Sequence, residues 1–193
     1  FAKLSLKKIV IFASGSGSSA ENIIIRFKES EEISIEKIYC NNPKAFVLER
    51  IKKYNIKKLV FEKNDLEGDE VLNDLININP NLIILAGFLK KIPLKIIKHF
   101  KNKIINIHPS LLPNYGGKGM YGMNVHRSVI QNREKKSGFT IHYVDEHYDK
   151  GNIIFQKSIN VETQNPEDLA KQILSLEHKH YPTFIKEILN VKS

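Results

Sequence analysis

Asn106 and His108 stand two residues apart in the stretch IINIHPSLLP, residues 104 to 113. If Ile104–Ile107 finish a strand, the pleat sends both side chains to one face, and Pro109, which has no amide to give a ladder, ends the strand beside them. An amide next to an imidazole, with no serine or cysteine nucleophile motif nearby, suits polarising a carbonyl and moving a proton rather than covalent attack. A histidine at a strand end also serves purely structural roles, so the pair alone leaves both readings open.

A second constellation lies near the start, where Ile9–Ala13 gives way to Ser14-Gly15-Ser16-Gly17-Ser18-Ser19-Ala20. The spacing fits G-x-G-x-x-A between a strand and a helix, the setting of a dinucleotide fingerprint. A dinucleotide site also expects a carboxylate after the second strand, to hold a ribose. Here that place reads Cys40-Asn41-Asn42-Pro43. A Walker A loop would need Gly-Lys-Ser/Thr after four spacers, which is absent. Glycines that let backbone approach closely, amides at a helix start and three serine hydroxyls suit the oxygens of one terminal phosphate. A tight turn with serine caps is the plainer alternative.

These residues need a frame to bring them together. Near-continuous apolar runs predict strands at Lys8–Ala13, Ile33–Asn41, Lys57–Phe61, Asn81–Ala86 and Lys103–Ile107. They alternate with helices predicted at Ser18–Lys28, Pro43–Tyr54, Gly68–Ile78 and, briefly, after Pro93. Apolar strands alternating with helices imply an α/β fold, a doubly wound, mostly parallel sheet covered on both faces. Beyond a Pro/Gly loop at 109–123 the pattern changes to a helix near Val125–Arg133 and alternating strands at Gly138–Asp145 and Asn152–Val161, an antiparallel extension. Asn165-Pro166-Glu167-Asp168 then opens a long final helix, running to about Val191. We expect one domain over 1–193, with a nucleotide half to about residue 100 and a catalytic half after it. Ligands of such sheets sit outside the carboxyl ends of the strands, so the serine turn and the Asn/His pair should open into one crevice.

The remaining composition excludes more than it suggests. Thirty Lys and Arg against 21 Asp and Glu give a net charge of +9. The basic pairs (Lys52-Lys53, Lys57-Lys58, Lys90-Lys91, Lys135-Lys136) are scattered, without the interleaved aromatics that stack bases. The charge reads as a solvated surface that attracts small anions, and no nucleic-acid partner is expected. No apolar run approaches the roughly 20 residues of a membrane span, and the start FAKLSLKK lacks a signal core, so a cytoplasmic protein with no membrane partner is expected. The lone Cys40 excludes an internal disulfide. Glu177, His178 and His180 hint at a metal, but only Glu177 and His180 share a helical face, and no metal is expected.

Six stretches, SGSGSS, NPKAFVLERIKKYNI, NLIILAGF, NIHPSLLP, IHYVDEHYDKGNIIFQ and LEHKHYP, follow one another across nearly the whole chain. Together they resemble the glycinamide ribonucleotide formyltransferases. The resemblance implies a Rossmann-like formyltransferase fold. It also implies transfer of a formyl group from 10-formyltetrahydrofolate to the amine of glycinamide ribonucleotide in purine synthesis, by a monomer or homodimer. It places Asn106, His108 and Asp149 in catalysis. Gly17, Ser18, Ser19 and Glu177 fall on the nucleotide, with Ser19 where the family often has Asn. Leu89, Lys90, Lys91, Ile92 and Asp145 border the folate. His142 matches a frequent family histidine and receives no role.

A carboxylate at Asp149 would raise the pKa of His108 and hold its useful tautomer, so that a protonated His108 and the Asn106 amide would face the developing oxyanion. The attacking amine must be neutral, so activity should fall in acid. The segment 114–123 is longer and richer in glycine than its counterpart in many relatives, and is expected to act as a flap over the pocket. The alternatives are a sister folate-dependent formyltransferase, a formyltetrahydrofolate hydrolase, or a nucleotide-binding module without turnover. A sister enzyme acting on methionyl-tRNA would normally carry an additional carboxyl-terminal barrel domain, and the hydrolase an amino-terminal regulatory domain; this chain is expected to have room for neither.

Overall fold

The computed structural model describes residues 6–191; the reading of the chain's first five residues lies outside them. The chain starts with β1 (Lys7–Ala13), α1 (Ser18–Phe27), β2 (Ile33–Cys40) and α2 (Val47–Arg50), which tightens into a 3-10 turn over Ile51–Tyr54. Next come β3 (Lys58–Val60), α3 (Lys63–Glu67), α4 (Glu70–Ile78), β4 (Leu82–Leu85), α5 (Leu94–His99) and β5 (Ile104–His108). The last four elements are α6 (Met123–Gln131), β6 (Lys136–Tyr143), β7 (Ile153–Asn160) and α7 (Pro166–Ile188).

The strands form one sheet in the order β3-β2-β1-β4-β5-β6-β7. Pairings from β3 through β5 are parallel, while β5–β6 and β6–β7 are antiparallel. The expected mostly parallel sheet with an antiparallel extension and a long last helix is therefore present. Its central strands are apolar throughout because both faces are covered. Ile9 and Ile11 of β1 pack with Ile84, Ile105 and α1 and α7 on one side, whereas Val10 and Phe12 pack with Ile83, Ile104 and α4 and α5 on the other. The chain leaves β1 for β2 on one side and returns to β4 on the other. This reversal makes a crevice beyond the ends of β1 and β4, where the Ser14 amide donates to the Gly87 carbonyl.

Two helices differ from expectation. The helix predicted over Pro43–Tyr54 begins only at Val47, because residues 43–46 form a turn whose Ala45 amide donates to the Asn42 carbonyl. The helix predicted over Gly68–Ile78 is preceded by α3, which a reciprocal Glu62/Asp65 capping box starts and the extended Gly68 stops. At the other end of the chain, the Asn165 side chain accepts from the Glu167 and Asp168 amides and opens α7 beside Pro166, as the sequence predicts. Tyr181, fully buried in α7, donates to the Leu85 carbonyl at 3.1 Å. That bond ties the helix to the sheet's carboxyl edge and holds Glu177, one turn earlier, over the crevice. Among the described residues no helix is long and apolar enough to cross a membrane.

Candidate active site

The serine turn owes its shape to Gly17, the N-cap of α1, at φ 75. A side chain there would be strained by the left-handed backbone and would collide with Val47 of α2. Arg50, also in α2, donates from Nε to the Ser16 carbonyl at 2.7 Å and from Nη1 to Glu21 at 2.7 Å. Hydrogen bonding to the Lys53 ammonium, aided by Tyr54 and Arg50, holds the Glu21 carboxyl at about 2. The turn is thus braced from outside, leaving Ser16, Ser18 and Ser19 lining a cavity of about 630 Å³. Ser14 faces away from it, bonded to Asn41 and to the Leu89 amide. Ser19 Oγ lies 3.3 Å from His178 Nε2, which joins the start of α1 to α7 next to Glu177.

Across the same cavity stand Asn106 and His108, on one face of β5 as their spacing predicts. Antiparallel pairing sets Asn106 opposite His142 of β6, and Asn106 Nδ2 lies 3.2 Å from His142 Nε2. His142 Nδ1 donates to the Tyr143 carbonyl at 2.8 Å, so its Nε2 is free to accept from the amide. His142 therefore turns the Asn106 NH₂ in a fixed direction, the contact that the sequence did not supply. His108 Nε2 donates to the Tyr115 carbonyl at 2.7 Å, and its Nδ1 lies 3.6 Å from Asp149 Oδ2. Asp149 also accepts from the Gly117 amide at 2.9 Å.

The expected electrostatics of His108 need correction in two respects. Its pKa is lowered, not raised, because the desolvation of a nearly buried ring outweighs the attraction of Asp149. Its tautomer is set by the Tyr115 carbonyl rather than by Asp149, since that carbonyl takes the Nε2 proton. The Asp149 carboxyl is itself held down: burial opposes ionisation, but the neighbouring His142 and His108 and the Gly117 amide outweigh it. At neutral pH the pair is a neutral imidazole, basic at Nδ1, facing a carboxylate. The flap expected at 114–123 is pinned on this pair through Tyr115 and Gly117.

Of the expected folate residues, Leu89 borders the large cavity, while Lys90, Lys91, Ile92 and Asp145 border a smaller one of about 60 Å³ beside it. Phe88, Asn106, Tyr148 and Asp149 line both. Glu177 lines the large cavity, and burial pushes its carboxyl up to about 8. His180, by contrast, packs against Phe139 and Phe155, so it does not join Glu177 at the cavity. His126 carries no signal in the sequence that would place it at the site. It is buried against the large cavity, its Nδ1 without a partner among the described residues, and burial with the nearby His108 pushes its pKa to about 4. No local spacing signals this, because His126 depends on where α6 lands.

Glu177 carries a consequence for stability. An unfolded glutamate releases its proton near 4.5, while the folded one keeps it to about 8, so the folded state binds more protons in between. Its contribution is full below pH 4.5 and is lost as pH rises towards 8. Glu177→Gln should therefore gain on the order of 3 kcal/mol on the parent at pH 7 relative to pH 4. Urea unfolding at the two pH values measures it, and an equal difference at both would show that the carboxyl is ionised in the fold.

An amide donor, a proton-accepting imidazole and an adjoining carboxylate border one cavity, a set suited to acyl transfer. A family model described as formyl transferase matches residues 7–185, and the chain belongs to that family. It is 36% identical to a phosphoribosylglycinamide formyltransferase of Bacillus subtilis, over 97% of each chain. It is 37% identical to the chloroplastic enzyme of that name in Arabidopsis thaliana, over 91% of this chain but only 63%, under two thirds, of the plant protein. Among solved structures, glycinamide ribonucleotide transformylase 1 of Geobacillus kaustophilus superimposes with a TM-score of 0.86 at 31% identity, covering 96% of this chain and all of that one.

Proposed function

We propose that the chain transfers the formyl group of 10-formyltetrahydrofolate to the amine of glycinamide ribonucleotide, as a cytoplasmic enzyme of purine synthesis. The observation that carries the reading is that Asn106 and Asp149 wall two adjoining cavities at once. The larger, with the serine turn at one end, suits a phosphorylated sugar. The smaller, with Leu85, Ile92 and Val144 in its walls, suits the edge of a pterin, for which it would have to widen. A formyl carbon between them would sit within reach of both. In this reading the chain works as one domain, the half to about residue 100 carrying the phosphate turn and the half after it the catalytic residues.

The geometry supports a role for each residue. The Asn106 amide, held by His142, donates to the formyl oxygen as charge gathers there. The neutral amine attacks the formyl carbon, a C–N bond forms, and the proton that the amine sheds passes to His108 Nδ1, where Asp149 stabilises the resulting imidazolium. The bond from that carbon to the folate N10 then breaks, and N10 takes up a proton, so the proton count balances. Glu177, protonated at rest and without a hydrogen-bond partner among the described residues, meets donors of the nucleotide, whose binding removes the penalty of its burial.

The test is the absorbance change of folate release, with candidate amines offered in turn beside a reaction holding water alone. Turnover with glycinamide ribonucleotide and little with water is expected. Release with water alone would make the protein a hydrolase, and turnover only with another amine would make the acceptor wrong.

A further inference from the structure

We propose that Lys118 supplies the cation for the phosphate of the acceptor, reaching it from the glycine-jointed segment 116–122. This rests on the acceptor reading above and adds a residue to it. A phosphate monoester carries close to two negative charges at neutral pH, and taking them out of water is costly unless a cation and hydrogen bonds replace the lost solvent. The serine turn supplies hydroxyls and backbone amides but no cation. The basic side chains beside it are committed elsewhere: Arg50 to the Ser16 carbonyl and Glu21, and Lys53 to Glu21.

Among the described residues bordering the large cavity, Lys118 is the one lysine or arginine. It is exposed, and it takes part in none of the ion pairs among the described residues. The backbone on either side of it depends on glycine. Gly117, Gly119 and Gly122 lie at φ 94, 87 and 52, and a Cβ added at any of them would meet nothing within 4 Å. Packing does not demand these glycines, whereas the left-handed backbone does. Lys118 also directly follows the amide that bonds Asp149. A phosphate held by Lys118 would steady that anchor, so that filling the acceptor end of the cavity fixes the catalytic carboxylate.

Two measurements on the full chain decide this. Calorimetric titration with ribose 5-phosphate should show binding about tenfold weaker for Lys118→Ala, while Lys118→Arg stays within about threefold of the parent. In turnover, Lys118→Ala should raise the KM for glycinamide ribonucleotide by a similar factor, leaving the KM for the formyl donor within about twofold. Ribose 5-phosphate binding unchanged in Lys118→Ala would overturn the proposal. So would a rise confined to the donor's KM, which would assign Lys118 to the donor's carboxylates. If the parent protein does not turn over glycinamide ribonucleotide, the acceptor reading fails, yet the ribose 5-phosphate titration still decides Lys118.

Discussion

His108→Ala should lower kcat by roughly 10²- to 10⁴-fold while leaving the affinity for ribose 5-phosphate nearly unchanged. The ring is almost wholly buried, with Nε2 spent on the Tyr115 carbonyl and Nδ1 facing Asp149. Truncating it removes the proton acceptor and leaves a carbonyl of the 114–123 segment unpaired. His108→Gln separates these effects, because an amide can still donate to that carbonyl but cannot carry a proton at neutral pH. If the histidine acts as a base, glutamine does not rescue kcat. Recovery to within about tenfold of the parent would reduce His108 to a support for the loop. The pH profile bears on the same point. With the His108 pKa below its ordinary 6.5, the enzyme-borne acid limb of kcat should lie below that value. Asp149→Asn removes the one charge that raises this pKa, and should move the limb to still lower pH as kcat falls.

Asn106→Asp should cost roughly 10²- to 10³-fold in kcat, the loss typical of removing one donor from a developing oxyanion. The substitution keeps size and shape, so packing in β5 is undisturbed. It replaces an NH₂ with a carboxylate that points at the forming charge and lies near the ionised Asp149. His142 would then have to donate from Nε2 instead of accepting there, in competition with the bond from its Nδ1 to the Tyr143 carbonyl. The loss should appear in kcat, with the KM for either substrate changed much less. A variant that binds poorly but turns over at the parental rate would place Asn106 in substrate binding alone.

Much of the frame is legible in the sequence because it rests on local pattern. The central strands are apolar on consecutive residues, which marks a sheet covered on both faces, and the Asn165-Pro166 start of α7 is a cap readable from four residues. The alternation in Asn106-Ile107-His108 fixes two polar side chains on one face without any tertiary information. What escapes the sequence depends on distant partners that share no spacing. Ser19 meets His178 across 159 positions, Arg50 braces the Ser16 carbonyl across 34, and His108 is oriented by a backbone oxygen seven residues on, in an irregular loop. The direction of the His108 pKa shift escapes for another reason. Its sign is a contest between burial and one nearby carboxylate, and only the depth of the ring decides it. The split of α3 from α4 was hidden in the same way, since the box that starts α3 has Glu62 and Asp65 where Ser or Thr and Glu more often signal one.

The central claim is that both molecules occupy their adjoining cavities together, and that the formyl group passes directly between them past Asn106, His108 and Asp149. Initial rates with 10-formyltetrahydrofolate and glycinamide ribonucleotide both varied test it most directly. Double-reciprocal plots should give intersecting lines, the pattern of a complex holding both substrates. Parallel lines, the mark of a formyl group parked on the protein before the acceptor arrives, would contradict it.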